Sequence, residues 1–279
     1  MNSDVSPKKA TPFLRWVGGK RWLLKYIEEI KDLSFNNYHE AFLGGGAIFF
    51  NLENYQTAYL SDLNEALIET YVCLKEDVEN VIDVLDTFRN SETQYYKIRS
   101  KEYDKSYERA AKFIYLNKTS FNGIYRVNKA GIFNVPYGFR NKNLDITDAL
   151  NLREVNKKLQ NVKLACKDFG DIVINIKKGD FVFLDPPYTV AHENNGFIEY
   201  NQKIFSLDDQ KRLCQMIEKI IDIGAYYVLT NAKHNAVKNI YKEIDKPISL
   251  ARSSTVGGKG ARREAFKEYI FTNCPTLFL

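Results

Sequence analysis

Residues 181–190 read FVFLDPPYTV. Phe181 to Leu184 is a short apolar run without charge, opened by Gly179-Asp180 and closed by two prolines. That is the pattern of a strand buried in a parallel sheet. Pro186 and Pro187 lack N–H groups and fix φ, so the strand must stop there. Asp185 then lies at the carboxyl end of the strand, where open α/β sheets hold their ligands. Tyr188 follows with a flat ring and a polar tip. A carboxylate, a stiffly held Pro186 carbonyl and an aromatic face suit one task together. Two acceptors can take both hydrogens of an exocyclic amino group while the ring stacks on the base that carries it. The plainer alternative is a strand ending in a Pro-Pro turn with a solvated Asp.

The chain before this stretch carries the same kind of strand-end chemistry. Val162 to Cys166 reads as a strand, and Asp168-Phe169 follows at its end. A carboxylate beside a ring there can hold an adenine amino group and face; the alternative is a helix cap with a core Phe. Near the N-terminus, Gly18-Gly19 breaks an extended segment, and Lys20 opens an amphipathic helix with Leu23, Leu24, Ile27 and Ile30 on one face. A strand over about 38–43 meets Gly44, Gly45 and Gly46, and a helix is expected after them. Three glycines before a helix give a tight turn with exposed N–H groups, but the Gly-Lys-Ser/Thr of a phosphate loop is missing. A second strand, about 58–60, ends in Ser61-Asp62, where an acidic side chain can hold ribose hydroxyls. Asp62-Leu63-Asn64-Glu65 also resembles a capping box, so Asp62 has a structural reading as well.

Residues 63–118 carry helical spacings: Leu67, Tyr71 and Leu74, then Val81, Ile82 and Leu85, then Ala110, Phe113, Ile114 and Leu116. Residues 117–140 are basic, aromatic and rich in Asn and Gly, with no acidic residue. Residues 124–127 and 132–135 flank Asn128-Lys129-Ala130-Gly131, the pattern of a β-hairpin. A two-stranded ribbon bearing Arg and Asn fits the major groove of DNA. A helix through Leu150, Val155 and Leu159 returns to the strand at 162. Beyond Tyr188, residues 189–205 are polar and read as a mobile loop over the site. A helix at about 207–222, strands at 226–229 and 268–273, and a basic Gly/Ser-rich loop at 251–263 complete the chain.

The chain has 279 residues, enough for one large or two smaller domains, and a net charge of +5. That charge is compatible with a polyanionic partner without requiring one. Cys73, Cys166, Cys214 and Cys274 and His39, His192 and His234 are dispersed without metal-ligand spacing, so no metal site is expected. No run approaches membrane-spanning length and no signal-peptide core opens the chain, so a cytoplasmic protein is expected.

In combination, FLRWVGGK (13–20), FLGGGAIFFN (42–51), SDLN (61–64), FNGIYRVNKAGIFNVPYG (121–138) and LDPPY (184–188) resemble Dam-type DNA adenine-N6 methyltransferases. Their order, with a target-recognition insert between the cofactor loop and DPPY, resembles the group called α, and the likeness spans about 11–273. Ala41 departs from the proline common after Glu40, and Gly45 from a common small polar residue; neither removes a functional side chain. The resemblance implies an α/β fold: a seven-stranded Rossmann-like methyltransferase sheet with one reversed strand and an inserted helical recognition domain carrying the hairpin. It implies a catalytic domain over 1–65 and 145–279 and a recognition domain over 66–144. It places Trp16, Lys20, Gly44, Gly46, Asp62, Asp168, Phe169 and Asp185 around S-adenosylmethionine. Asp185, Pro186 and Tyr188 would hold the target adenine, and Arg15, Phe121, Asn122, Ile124, Arg126, Asn128 and Pro136 would meet DNA.

The expected activity is methyl transfer from S-adenosylmethionine to adenine N6 in double-stranded DNA, at GATC or another GAT-containing site such as GATATC. The expected partner is duplex DNA, with a cognate restriction endonuclease a further partner that the resemblance admits and the chain itself acting as a monomer. Two rivals stand beside this. One is methylation of another amino group, cytosine N4 or an RNA base. The other is a DNA-binding module without catalysis, which the presence of Lys20, Asp62, Asp185 and Tyr188 argues against.

Overall fold

The structure is a computed structural model, and it describes residues 9–139, 144–188, 205–253 and 265–275. The expected loop at 189–205 falls outside these residues except for Phe205, as does most of the basic loop at 251–263. The strands are β1 (Tyr38–Glu40), β2 (Ala58–Asp62), β3 (Val162–Cys166), β4 (Phe181–Leu184), β5 (Tyr226–Ala232), β6 (Ile248–Ser253) and β7 (Ala265–Thr272). They form a seven-stranded sheet in the order β3-β2-β1-β4-β5-β7-β6. β1 pairs in parallel with β2 and β4, and β4 with β5. β7 runs antiparallel to both of its neighbours, so it is the one reversed strand that the resemblance implies. All four residues of β4 are buried, as the unbroken apolar run at 181–184 requires of an interior strand.

The chain divides into two compact units. The first comprises Met1–Arg21, Leu43–Leu52 and Asp62–Cys166. Its helices are α2 (Glu65–Glu76), α3 (Val78–Asp86), α4 (Glu92–Ser100), α5 (Ser106–Thr119) and α6 (Ala149–Leu159). Leu67, Tyr71 and Leu74 of α2 and Val81, Ile82 and Leu85 of α3 are buried as the spacing requires; in α6 Val155 and Leu159 are buried, but Leu150 is exposed and Leu152, three residues before Val155 on the same helix face, takes the buried place expected of it. Thr11 joins this unit through its N–H and hydroxyl, which donate to Asn151 Oδ1 at 2.9 and 3.0 Å.

The second unit comprises Trp22–Phe42, Glu53–Ser61 and Lys167–Leu279. It holds α1 (Ile27–Asp32), α7 (Leu207–Ile223) and α8 (Asn235–Tyr241). Its core packs Val182 and Leu184 of β4 with Leu213, Ile217 and Ile220 of α7 and Tyr227 and Leu229 of β5. α7 has firm ends. Ser206 and Asp209 form a reciprocal capping box, and Gly224 closes the helix at φ 81°.

Several local expectations need correction. Lys20 does not open an α-helix: a 3-10 segment, Arg21–Tyr26, precedes α1. No acidic side chain sits in its first turn and no side chain caps α1, so tighter turns satisfy backbone groups that a cap would otherwise serve. β1 stops at Glu40 rather than 43, because Leu43 already belongs to a turn in which its carbonyl accepts from Gly46 N–H at 2.8 Å. The helix expected after the glycines is one 3-10 turn, Phe49–Asn51. α8 and β6 have no counterpart in the sequence reading, and Ala251 to Ser253 belong to β6 rather than to a loop.

Candidate active site

In the first unit the glycine loop and the end of β2 are tied together. Asp62 Oδ2 accepts from Gly44 N–H at 2.9 Å, and Oδ1 accepts from Asn64 N–H at 3.0 Å. Burial pushes the Asp62 carboxyl above its ordinary range, with N–H donation from Gly44, Asn64 and Leu63 pulling the other way. The capping role considered for Asp62 belongs to Asn64, whose Oδ1 accepts from Leu67 N–H at 3.1 Å at the start of α2. Asp62 remains at the strand end with its carboxylate fixed in direction.

Gly44 has φ 48°, and a Cβ there would come within 2.7 Å of Trp16 Cδ1 and Nε1. The indole therefore rests against the glycine backbone, where no other residue fits. On its other contacts Trp16 stacks with Tyr125 at 5.8 Å and Phe113 at 6.4 Å between ring centroids. Gly46, at φ 64°, is less tightly confined: a Cβ would meet Phe50 and the Tyr71 hydroxyl at 3.1 Å. Lys20 is buried, and its Nζ donates to Gly18 O at 3.0 Å.

The basic ribbon at 124–135 lies in the same unit. Asn128 N–H donates to Ile132 O at 2.9 Å and Asn134 N–H to Arg126 O at 3.1 Å, with an isolated bridge at Val127–Phe133 and another at Ser120–Tyr137. Asn128 Oδ1 accepts from Ala130 and Ile132 N–H groups, so its side chain builds the turn. Arg126, exposed, donates through Nε to Asn134 Oδ1 at 2.8 Å and through Nη2 to Asn134 O at 3.3 Å. Phe121, Asn122 and Pro136 are exposed and Ile124 is half-buried. Asn122 has the left-handed φ of 55°.

One residue that the sequence reading missed joins Arg15 to this region. Asn117, 1% exposed, accepts from Arg15 N–H at 2.7 Å and donates to Arg15 O and Gly123 O at 2.9 and 3.2 Å. Its signal was an amide in helical register with the apolar Phe113 and Ile114.

The second unit holds the other candidates. Asp185 follows β4, and its Oδ1 accepts from the Thr230 hydroxyl at 2.7 Å. Pro186 is buried and Pro187 exposed. The Tyr188 hydroxyl donates to Glu268 Oε2 at 2.5 Å. Asp168 caps the 3-10 segment Phe169–Asn175 through Gly170 N–H at 2.9 Å, and Arg212 Nη2 donates to the same oxygen at 2.5 Å. Phe169 is buried against Phe42 and Phe205, with the Arg212 guanidinium 4.7 Å from its ring centre. The plainer alternative for Asp168-Phe169, a cap with a core Phe, thus describes what both side chains do here. Thr230 and Glu268 were not singled out from the sequence. Their signal was a polar residue at the end of an apolar strand run, at 226–229 and at 268–273.

Residues 16–255 match the family described as D12 class N6 adenine-specific DNA methyltransferases. The chain belongs to that family. Among its relatives, a type II methyltransferase of Lactococcus lactis, M1.LlaDCHI, is 35% identical over 94% of this chain and 95% of its own. M.MjaIII of Methanocaldococcus jannaschii is 39% identical over 79% of this chain and 84% of its own. The DNA adenine methylase of Escherichia coli K12 is 28% identical over 92% and 93%. Membership in the D12 class removes the cytosine-N4 and RNA rivals and makes S-adenosylmethionine the methyl donor. The residues fit that donor. A carboxylate fixed in direction at the end of β2, beside a glycine turn, is what ribose binding needs. Among the described residues no helix is long and apolar enough to cross a membrane, and no cluster of His, Cys, Asp and Glu could hold a metal ion.

Proposed function

We propose that this D12-class enzyme methylates adenine N6 within GATC in duplex DNA, on a base flipped out of the helix. The observation that carries the reading is Asp185-Pro186-Pro187-Tyr188 directly after the buried strand β4, with Asp185 held by Thr230. Adenine N6 is a poor nucleophile because its lone pair is delocalised into the ring. Asp185 and the Pro186 carbonyl accept from N6–H and localise that pair, so orientation and electrostatics carry the step. Tyr188 stacks on the base, which offsets part of the unstacking cost of a few kcal/mol. The donor supplies an electrophilic methyl group. Asp62 accepts from its ribose hydroxyls, with Trp16, Lys20, Gly44 and Gly46 as further cofactor residues of the first unit and Asp168 and Phe169 as those of the second. No covalent bond to the protein forms, and the cysteines need no role.

Residues 66–144 are read as the recognition part. Arg126 pairs with guanine O6 and N7, Ile124 and Pro136 face the thymine methyl, and Arg15 reads the first guanine. Phe121 fills the gap left by the flipped base, while Asn122 and Asn128 shape the ribbon. A monomer acting in the cytoplasm, beside a restriction endonuclease of the same site, completes the proposal. The type II relatives support that last element.

The test is digestion of DNA from a methylase-free host expressing the chain with an enzyme that cuts only methylated GATC. Cutting is the expected result. Uncut DNA that nevertheless contains N6-methyladenine would overturn GATC and point to GATATC or another GAT-containing site. A fluorescent adenine analogue at the target should brighten on binding, and an unchanged signal would argue against flipping.

A further inference from the structure

We propose that Thr230 and Glu268 are positioning residues that clamp the two ends of the Asp185–Tyr188 turn, one on the carboxylate and one on the ring. The proposal rests on the reading of that turn as the adenine site. Strand register places both residues on one face of the sheet. Ala232 of β5 stands opposite Glu268 of β7, and Thr230 opposite Ile270. Opposed residues of an antiparallel pair point the same way, as do residues two apart on one strand. Thr230 and Glu268 are therefore diagonal neighbours, and the turn crosses the end of β5 from one to the other.

The chemistry of each contact suits its end. Thr230 is fully buried, and its hydroxyl proton goes to Asp185 Oδ1 at 2.7 Å rather than to Leu184 O at 3.5 Å. Holding Oδ1 fixes the rotamer of the carboxylate that is to meet the N6–H of the base. Glu268 is 1% exposed and accepts from the Tyr188 hydroxyl at 2.5 Å. A tethered phenol sets the plane of the ring, which is the surface the base must stack on. A polar side chain at each site is otherwise costly, because both lie where apolar residues would pack. Thr230 and Glu268 touch no substrate in this scheme and act through Asp185 and Tyr188.

The test is steady-state methylation of a GATC duplex by Thr230→Val, Thr230→Ser, Glu268→Leu and Glu268→Gln, with folding checked by circular dichroism. Thr230→Val should lower kcat about 10- to 100-fold, the loss of one hydrogen bond to a charged group, with KM for DNA and cofactor near wild type. Thr230→Ser should restore most of the rate. Glu268→Gln keeps an acceptor and should stay near wild type, whereas Glu268→Leu should lose kcat. An active wild type together with a folded Thr230→Val of unchanged kcat, or with a loss confined to KM, overturns the positioning claim alone. A wild type that transfers no methyl to adenine either in the GATC duplex or in mixed-sequence genomic DNA overturns the functional reading and the clamp with it, and one active only on the latter moves the same four comparisons to that DNA.

Discussion

Gly44→Ala is expected to unfold the loop that carries Asp62's partner, and the cost can be divided into two parts. The first is conformational. Gly44 sits at φ 48°, where an L side chain meets its own backbone at about 1–2 kcal/mol. The second is steric. The new Cβ would lie 2.7 Å from both Trp16 Cδ1 and Nε1, against an ordinary contact of about 3.5–4.0 Å. The indole would have to retreat by about 1 Å, and forcing a packed group aside costs about 1–3 kcal/mol. It cannot retreat freely, because Tyr125 and Phe113 stack with it. The sum is about 2–5 kcal/mol, a fall of about 3–9 °C in the melting temperature for a chain of this size. The assay is a double-mutant cycle by thermal or urea unfolding with Trp16→Ala. In the Trp16→Ala background the steric part disappears and the conformational part stays, so Gly44→Ala should cost about 1–3 kcal/mol less there. Equal costs in the two backgrounds, within about 0.5 kcal/mol, would refute the contact argument.

Asp185→Ala should abolish methyl transfer while DNA and S-adenosylmethionine binding largely persist; most of the turnover surviving would sink its assigned role. Asp62→Ala should weaken cofactor binding and also cost about 1–3 kcal/mol of stability, since it orphans the Gly44 and Asn64 N–H groups. Asp62→Asn, which keeps one acceptor, should separate these effects by calorimetry, losing affinity with less loss of stability. Arg126→Ala should relax specificity at one base pair by about 1–3 kcal/mol; an even loss across sequences with a shallower salt slope would mark a phosphate contact instead. Burial holds the His39 imidazole below its ordinary 6.5, against the Asp180 carboxylate 2.8 Å away, so the folded state prefers it neutral. Its contribution is complete above about 6.5 and is lost as pH falls through the folded value, so the melting temperature should drop on acidification and His39→Gln should flatten that slope.

Elements with one strong pattern were legible in the sequence. The uncharged run at 181–184 gave β4, and the apolar spacings at 67–85 gave the buried faces of α2 and α3, while in α6 they gave Val155 and Leu159 but put Leu150 where Leu152 is buried. Elements decided by hydrogen bonds to distant partners were not. β6 reads ISLARS, with no clean alternation, and is held as a strand by its pairing with β7. α8 is short and opens on His234, an uncommon cap whose Nδ1 accepts from Ala236 N–H. At the candidate site, residue types were readable but their engagements were not. Asn128, expected to meet DNA, spends its oxygen on the turn, while Asn134, read only as a hairpin residue, holds Arg126. Asn128 opens the loop and Asn134 lies on the second flank, and residue type alone does not show which partner each amide takes.

The placement of Asp185 follows from the same register that builds the core. Leu184 of β4 stands opposite Leu229 of β5, so the next residues along the two parallel strands are Asp185 and Thr230. A slip of one residue between these strands would exchange the faces of every side chain on one of them. It would turn Leu229 out of the core that also holds Leu184 and Tyr227, and it would turn Thr230 away from the carboxylate. The alignment that places the hydroxyl is therefore enforced by apolar packing many times larger than the hydrogen bond itself. Changes to Leu184 or Leu229 that disturb this packing should reach Asp185 through the strand alignment, even though neither leucine meets the base.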